Sequence, residues 1–382
     1  MTKSSDVIRL QVFIPGRSWV NVLGDSTTLT FERGNEQTDS VDKPTVGTLA
    51  AAFLGATGDP SLPDPVVRPT RAAEVQAMDA GGSWNTIWSG KLGIPSASYD
   101  DAGRVVSAVA ATDAVNLVSN NKPAVTMYRT GSFRQQIFDA VSRRPGGQII
   151  DPNVGSSSDD ITRTNLVDAG DQTMLARIGV VLDSWPLCAL WASRWNTYGF
   201  RGFGQTTVIP TDAVHTFSDK AVDVAAGALS YTAIDLTHDL ETFRNSLAVT
   251  EPVGDLNRTW SEQSLTSEWG RSEGAATIVP GTATGGYTVA QRVRDIFATK
   301  PAPAFRVKSI SVDMHKARQL VTSVPTDLLY QTPIRIKHTP SGHDAVYRII
   351  RESHAVTPDS WRATYTLKPV VAARTVTASV ES

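Results

Sequence analysis

A β-rich α+β fold is what this sequence predicts, and three observations carry it. Segments with two-residue alternation of apolar and polar side chains recur near both ends of the chain. Charged residues fill only 19% of the 382 positions, against about 25% in an average globular protein, while Thr, Ser, Val and Ala abound. Helical spacing is confined to a few interior stretches. A sheet surface covered in hydroxyls rather than ions fits that composition.

At roughly 100–200 residues per domain the chain has room for two to four domains, with cores large enough to need no staples. The pattern divides into a β domain over 1–118, a mixed α/β segment over 119–205, a β-rich segment with one helix over 206–300 and a second strand-rich portion over 301–382.

Taken in order, Ile8, Leu10, Val12 and Ile14 alternate, then Trp19–Leu23, then Leu29 and Phe31 after the turn residues Gly24-Asp25, which together read as a β meander. A Pro-rich loop from Gly58 to Pro65 follows, and Thr86–Gly90 and Val105–Ala111 resume strand character. Phe133, Ile137, Phe138 and Val141 repeat at helical spacing and stop at Arg143-Arg144-Pro145-Gly146-Gly147, cations and then breakers. Beyond the polar loop Gly155–Asp160, a second helix carries Met174, Leu175, Ile178, Val181, Leu182 and Trp185.

Strand signals return near Thr206. One amphipathic helix interrupts them, with Val289, Val293, Ile296 and Phe297 on one face between Gly285-Gly286 and Pro301. From Phe305 to Met314 the apolar set changes from Phe305/Val307 to Ile310/Val312/Met314, so one extra residue near Ser309, a β-bulge, is expected. Pro333 suits only a strand start or an edge, and Ile334, Ile336 and His338 continue from it. Thr357-Pro358-Asp359-Ser360 is a turn that joins Ala345–His354 to a closing strand in which Trp361, Ala363, Tyr365 and Leu367 share one face. Arg362, Thr364, Thr366 and Lys368 take the other.

Several function classes are disfavoured. With 36 Lys+Arg against 38 Asp+Glu, net charge −2, no strong positive field exists to hold a nucleic acid. The lone Cys188 cannot form an intrachain disulfide and reads as a small buried hydrophobe. No apolar run approaches the roughly 20 residues of a membrane span, and the first residues lack the apolar core of a signal peptide, so the expectation is a soluble chain made in a cytoplasm.

Among six histidines none forms HExxH or a zinc spacing with Cys; His338 and His343-Asp344 flank Pro340-Ser341-Gly342, which reads as a polar hairpin tip rather than a metal site. No Walker A, GxSxG or dinucleotide fingerprint occurs, so no catalytic, cofactor or metal site is expected. Arg201-Gly202-Phe203-Gly204 copies half of an RNA-recognition octamer, but Gln205–Val208 lack the aromatic that would stack a base. Glu262 and Glu268, near Trp260 and Trp269, have the composition of a glycosidase carboxylate pair, with an exposed loop as the simpler reading. Trp185, Trp191 and Trp195 are the densest aromatic cluster; they read as core or interface packing, with a sugar-stacking platform as the alternative.

A set of segments in fixed order then resembles the minor tail proteins of long-tailed bacteriophages of actinobacteria, which act as the tail or baseplate hub. They are Leu29-Thr30-Phe31-Glu32-Arg33-Gly34, Ile87-Trp88-Ser89-Gly90, Val109-Ala110-Ala111-Thr112-Asp113, Phe243-Arg244-Asn245-Ser246 with Val249-Thr250, Ser264–Arg271, and Thr357–Trp361 before Thr364–Leu367. The resemblance implies two β-barrel-type tail-hub domains flanking mixed α/β peripheral domains. It further implies a homotrimer at the virion tail tip, six similar barrels meeting a sixfold tube. Its implied partners are the distal tail protein ring, the tape-measure protein and other minor tail or receptor-binding proteins, with genomic DNA passing through without specific binding.

On that reading the protein is no enzyme. The residues that matter are core positions of the closing strand, Trp361, Tyr365 and Leu367. The alternatives are a tail-tip cell-wall glycan hydrolase using Glu262 and Glu268, and the hub of a related contractile injection or secretion machine.

Overall fold

Alternation in sequence becomes alternation in burial. In β1 (Ile8–Ile14) the side chains of Ile8, Leu10, Val12 and Ile14 are buried while Arg9, Gln11 and Phe13 point the other way. The computed structural model describes residues 3–16, 18–23, 26–38, 42–54, 67–120, 129–132, 162–166, 173–184, 189–192, 198–201, 213–238, 243–251, 256–262, 268–278, 288–299, 304–323, 333–370 and 376–381. The predicted turn at Gly24-Asp25, the Pro-rich loop, the helix from Phe133 to Val141, the Gly155–Asp160 loop, Trp185, Cys188, Trp195, Gly202–Gly204 and Gly285-Gly286 lie outside those residues.

The first half continues with β2 (Ser18–Asn21), β3 (Ser26–Gln37), β4 (Asp42–Pro44), β5 (Thr48–Leu54), β6 (Ala72–Met78), β7 (Trp84–Leu92), β8 (Ser96–Tyr99) and β9 (Val105–Thr112). Sequence reading passes over β5 and β6 because their Ala-rich segments have little intrinsic strand preference; they are strands because β3 and β9 flank one and β1 and β7 the other. Two antiparallel strand pairs follow, β10 (Arg129–Ser132) with β11 (Thr162–Leu166) and β12 (Ala189–Ala192) with β13 (Tyr198–Arg201). Between them the helix Met174–Ser184 buries Met174, Ile178, Val181 and Leu182 at the predicted spacing.

The second half adds β14 (His215–Ser218), β15 (Ala233–His238), β16 (Ser246–Glu251), β17 (Leu256–Ser261), β18 (Glu273–Thr277), β19 (Phe305–Asp313), β20 (Pro333–His338), β21 (His343–Thr357), β22 (Ser360–Pro369) and β23 (Ser379–Val380). Pro333 opens its strand, as its missing N–H requires. Between β15 and β19 the register passes from Asp235↔Ser309 to Leu236↔Val307, which leaves Lys308 as the extra residue and accounts for the change of face. Phe305 departs from the expected apolar set: it is 44% exposed.

Fifteen of these strands form one sheet, in the order β15-β19-β22-β21-β3-β5-β9-β7-β6-β1-β2, with β14, β20, β4 and β8 attached beside that path. The path is open at both ends, and no closed barrel occurs among the described residues. A single core runs under it, uniting Leu10, Phe31 and Trp88 from the first half with Phe217, Ile310, Trp361 and Tyr365 from the second.

A smaller sheet, β18-β16-β17-β23, packs against the helix Val289–Thr299, whose Val289, Val293, Ile296 and Phe297 are all buried. The chain therefore ends on this second sheet, one strand beyond the closing strand read from sequence. No helix among the described residues is long and apolar enough to cross a membrane.

Candidate functional site

The two halves of the chain meet along β21. One edge of this strand pairs with β22 from Tyr347 to Thr357; the other pairs with β20 over His343–Arg348 and with β3 over Arg351–Val356. The handover coincides with a bulge. Against β22 the register steps from Ile349↔Leu367 to Arg351↔Thr366, so Ile350 is the inserted residue.

Gly34 stands opposite Arg351 at φ +138°. A Cβ there would lie 2.5 Å from both Arg351 Cα and Ile350 O, so only glycine lets the two backbones approach this closely.

Beside the seam lies a buried polar cluster. The Arg33 guanidinium donates from Nε to Glu352 Oε1, and the two side chains are 2% and 0% exposed. Trp361 Nε1 donates to His354 Nδ1 at 3.2 Å, and an indole N–H can only donate. Nδ1 is therefore the acceptor, and Nε2 carries the hydrogen that faces Glu352 Oε2 at 3.5 Å. Phe31 stacks on the His354 ring with centroids 4.4 Å apart, and Tyr365 meets it edge-on at 6.4 Å. Burial alone would raise the Glu352 carboxyl, but Arg33 and the hydrogen bond from His354 outweigh it and hold the group at about 2.

Asp113 borders the same region. Oδ1 caps the helix Ala114–Asn120 by accepting from Val115 N at 3.0 Å, while Oδ2 is buried with no hydrogen-bond partner among the described residues. Burial pushes this carboxyl up to about 7, against the opposing pull of backbone N–H groups and of Arg33.

A second clamp is built on the short strand β4. Asp42 accepts from Lys368 Nζ at 2.8 and 3.0 Å and pairs with Arg348 at 3.5 Å. The neighbouring Lys43 reaches Asp183 at 3.0 Å, and Arg292 donates to the Asp183 carbonyl at 2.6 Å. Asp42 and Lys43 thus tie the closing strand to the helix Met174–Ser184, which Arg292 in turn joins to the helix Val289–Thr299. Lys368, on the polar face of its strand in sequence, is 7% exposed because Asp42 covers it.

The remaining sequence candidates are scattered. Trp361, Tyr365 and Leu367 are 1%, 1% and 6% exposed on the core side of β22. Glu262 is 2% exposed at the end of β17, with its N–H bonded to the Asn245 carbonyl, whereas Glu268 is exposed beside the 44% exposed Trp269. His338 and His343 flank a 3-10 turn at Thr339–Ser341 and bond to different partners, Ser341 Oγ and Tyr347 OH, each at 2.7 Å. No group of three or more potential metal ligands occurs among the described residues.

What these groups do chemically is fix one strand against another. Sequence reading missed Arg33, Asp42, Asp113 and Glu352 as site residues. Only the presence of Arg33 and Asp113 inside the quoted segments could have drawn attention to them.

No family model matches the chain, and no curated protein does. Solved structures match it over nearly its whole length. A tail protein from Neisseria meningitidis MC58 aligns with TM-score 0.61 at 11% identity, covering 95% of this chain and 97% of its own. The 43 kDa tail protein of prophage MuSo2 from Shewanella oneidensis aligns with TM-score 0.61 at 12% identity, covering 95% and 96%. An Escherichia coli component of the type VI secretion system, which exhibits structural similarity to the bacteriophage T4 tail proteins gp27 and gp5, aligns with TM-score 0.53 at 10% identity over 91% of this chain and 74% of its own. The fold is shared with these tail and secretion-system proteins.

Proposed function

We propose that this protein is a structural component of a phage tail, the hub that closes the tail tip of a long-tailed phage of the actinobacterial type. Three copies form a ring. Each contributes two related barrel-type modules, one built on the strands before residue 118 and one on the last strands of the chain, so that six similar modules meet a sixfold tube. The hub anchors the distal tail ring, the tape-measure protein and receptor-binding proteins, and it opens for the genome to pass.

The observation that carries this reading is the fold match to two tail proteins over 95% of the chain, together with a seam that joins both halves of the chain in one sheet. Load in such a part is borne by interfaces, and symmetric rings close through them. Catalysis has no place in the proposed role. An averaged electron-microscopy image of the assembled particle tests it: a threefold ring of this chain at the distal end of a sixfold stack is the expected result. A single copy lying off the axis would overturn it.

The secretion-system neighbour favours a second reading, the hub of a related injection machine. Purified particles decide between the two, because packaged DNA accompanies the first and is absent from the second.

A further inference from the structure

Four positions on the inner face of the large sheet lie in one row across the seam. On that face Phe31 pairs with His354 of β21 on one side and with Leu49 of β5 on the other, and Leu49 pairs with Ala111 of β9. Two residues further along each strand, the same alternation brings Glu352, Arg33, Gly47 and Asp113 into line. Arg33 therefore stands between two buried carboxyls, one from each half of the chain.

Glu352 is its immediate neighbour. Asp113 is two strand spacings away, about 10 Å between backbones, and the residue between them is a glycine. The Asp113 N–H bonds to the Gly47 carbonyl at 3.0 Å, and Oδ2 lies over Gly47, where any Cβ would collide with it. With no side chain interposed, the guanidinium pulls on both carboxyls. Asp113 Oδ1 is committed to the Val115 N–H, while Oδ2 has no hydrogen-bond partner among the described residues.

Other charged groups on the surrounding elements are absent or turned elsewhere. β5 and the helix Ala114–Asn120 contain none. Lys91 of β7 is exposed, and Glu32 of β3 is bonded to Arg351. In the helix Met174–Ser184, which packs on Ala114–Asn120, Asp183 is bonded to Lys43 and Arg177 is only partly buried. Arg33 thus faces Asp113, with Glu352 and His354 behind it on β21. A protonated Asp113 makes no demand on Arg33. An ionised one, buried with an oxygen unbonded, competes with Glu352 for the guanidinium.

We propose that the proton on Asp113 decides how firmly the two halves are joined. While the proton is on, Arg33 belongs to Glu352 and β3 is held to β21. When it leaves, Arg33 is drawn toward Asp113 and the ion pair across the seam loosens. Since burial raises this carboxyl to about 7, the seam is tight at about pH 6 and relaxes as pH rises to about 8.

Hydrogen–deuterium exchange of the full chain, read by mass spectrometry at about pH 6 and pH 8 with exchange times scaled to the intrinsic rate, tests this. Peptides covering residues 29–34 of β3 and 351–356 of β21 should lose about tenfold in protection, since pH 8 lies about one unit above the folded value. Those of the small sheet β16–β18 should keep theirs. Asp113→Asn retains the shape and cannot ionise, so its seam should be equally protected at both values. β3 and β5 separate β9 from β21, so a loss confined to β9 and the helix Ala114–Asn120 means that Asp113 acts only where it stands, and overturns the sharing of Arg33. A seam indifferent to pH, or a loss spread evenly over both sheets, overturns it as well. So does a loss that survives in Asp113→Asn, which would make His354 the titrating group. If the variant does not fold, the placement of the loss in the wild-type chain decides alone.

Discussion

Replacing Glu352 by Gln probes the seam most directly. The change keeps size and shape but leaves the Arg33 guanidinium, 2% exposed, facing a neutral amide. Removing one partner of a buried ion pair costs about 3–5 kcal/mol, because the other charge stays desolvated. The carboxyl gives a second figure. Held at about 2 instead of the ordinary 4.5, it contributes about 3 kcal/mol of stability. Since the folded value is the lower one, that stabilisation is complete above about pH 4.5 and fades as pH falls toward 2.

Urea unfolding of wild type and Glu352→Gln is the assay. At pH 7 the variant should be less stable by about 3 kcal/mol, and by pH 3 the gap should narrow to about 1 kcal/mol. Removing both charges together, as Arg33→Met with Glu352→Leu, should cost less than the single change, since no charge is then left unpaired and only the long contact from His354 Nε2 is lost. A single-site cost below about 1 kcal/mol that does not vary with pH would refute the claim that this pair holds the halves together.

Three further outcomes follow from the same region. Gly34→Ala forces a Cβ into the Arg351 backbone at a positive φ and should lower stability by about 3 kcal/mol, measured by the same urea titration; a variant as stable as wild type would mean the strands are not held this close. Because the Asp113 carboxyl is raised, its folded form favours the proton and wild-type stability should fall as pH rises from about 4 to 7; Asp113→Asn should remove that slope and gain about 4 kcal/mol at pH 8, read from thermal melts, and an unchanged slope would count against it. Trp361→Ala should cost about 3–5 kcal/mol and leave His354 Nδ1 without its donor, and tails carrying it should fail to assemble; intact tails would show that the closing strand tolerates a cavity.

Local signals were legible. The alternation of β1, the apolar face of Val289–Thr299, the turn at Pro358-Asp359 and the inserted residue beside Ser309 each follow from a few neighbouring side chains. What no local pattern encodes is that β3 lies against β21. Arg33 and Glu352 are 319 positions apart, and each looks in sequence like an ordinary charged residue on the wet face of a strand. Lys368 reads the same way until Asp42 is laid over it. The buried carboxylates and cations of the seam were invisible because their burial is a property of pairing partners that periodicity cannot name.

The seam also sets a timetable for synthesis. A ribosome adding roughly 5–20 residues per second needs roughly 15–60 s to travel the 319 positions from Arg33 to Glu352. Throughout that interval β3 is out of the tunnel with one edge unmatched, a sticky template for any other nascent chain on the same message. Contacts of such long range also make the final step slow, since the entropy of closing so large a loop comes before any gain. Lowering the temperature or the translation rate during overexpression therefore changes the yield of folded protein through this one delayed strand, and a circularly permuted gene that encodes β21 ahead of β3 would shorten the exposure to seconds.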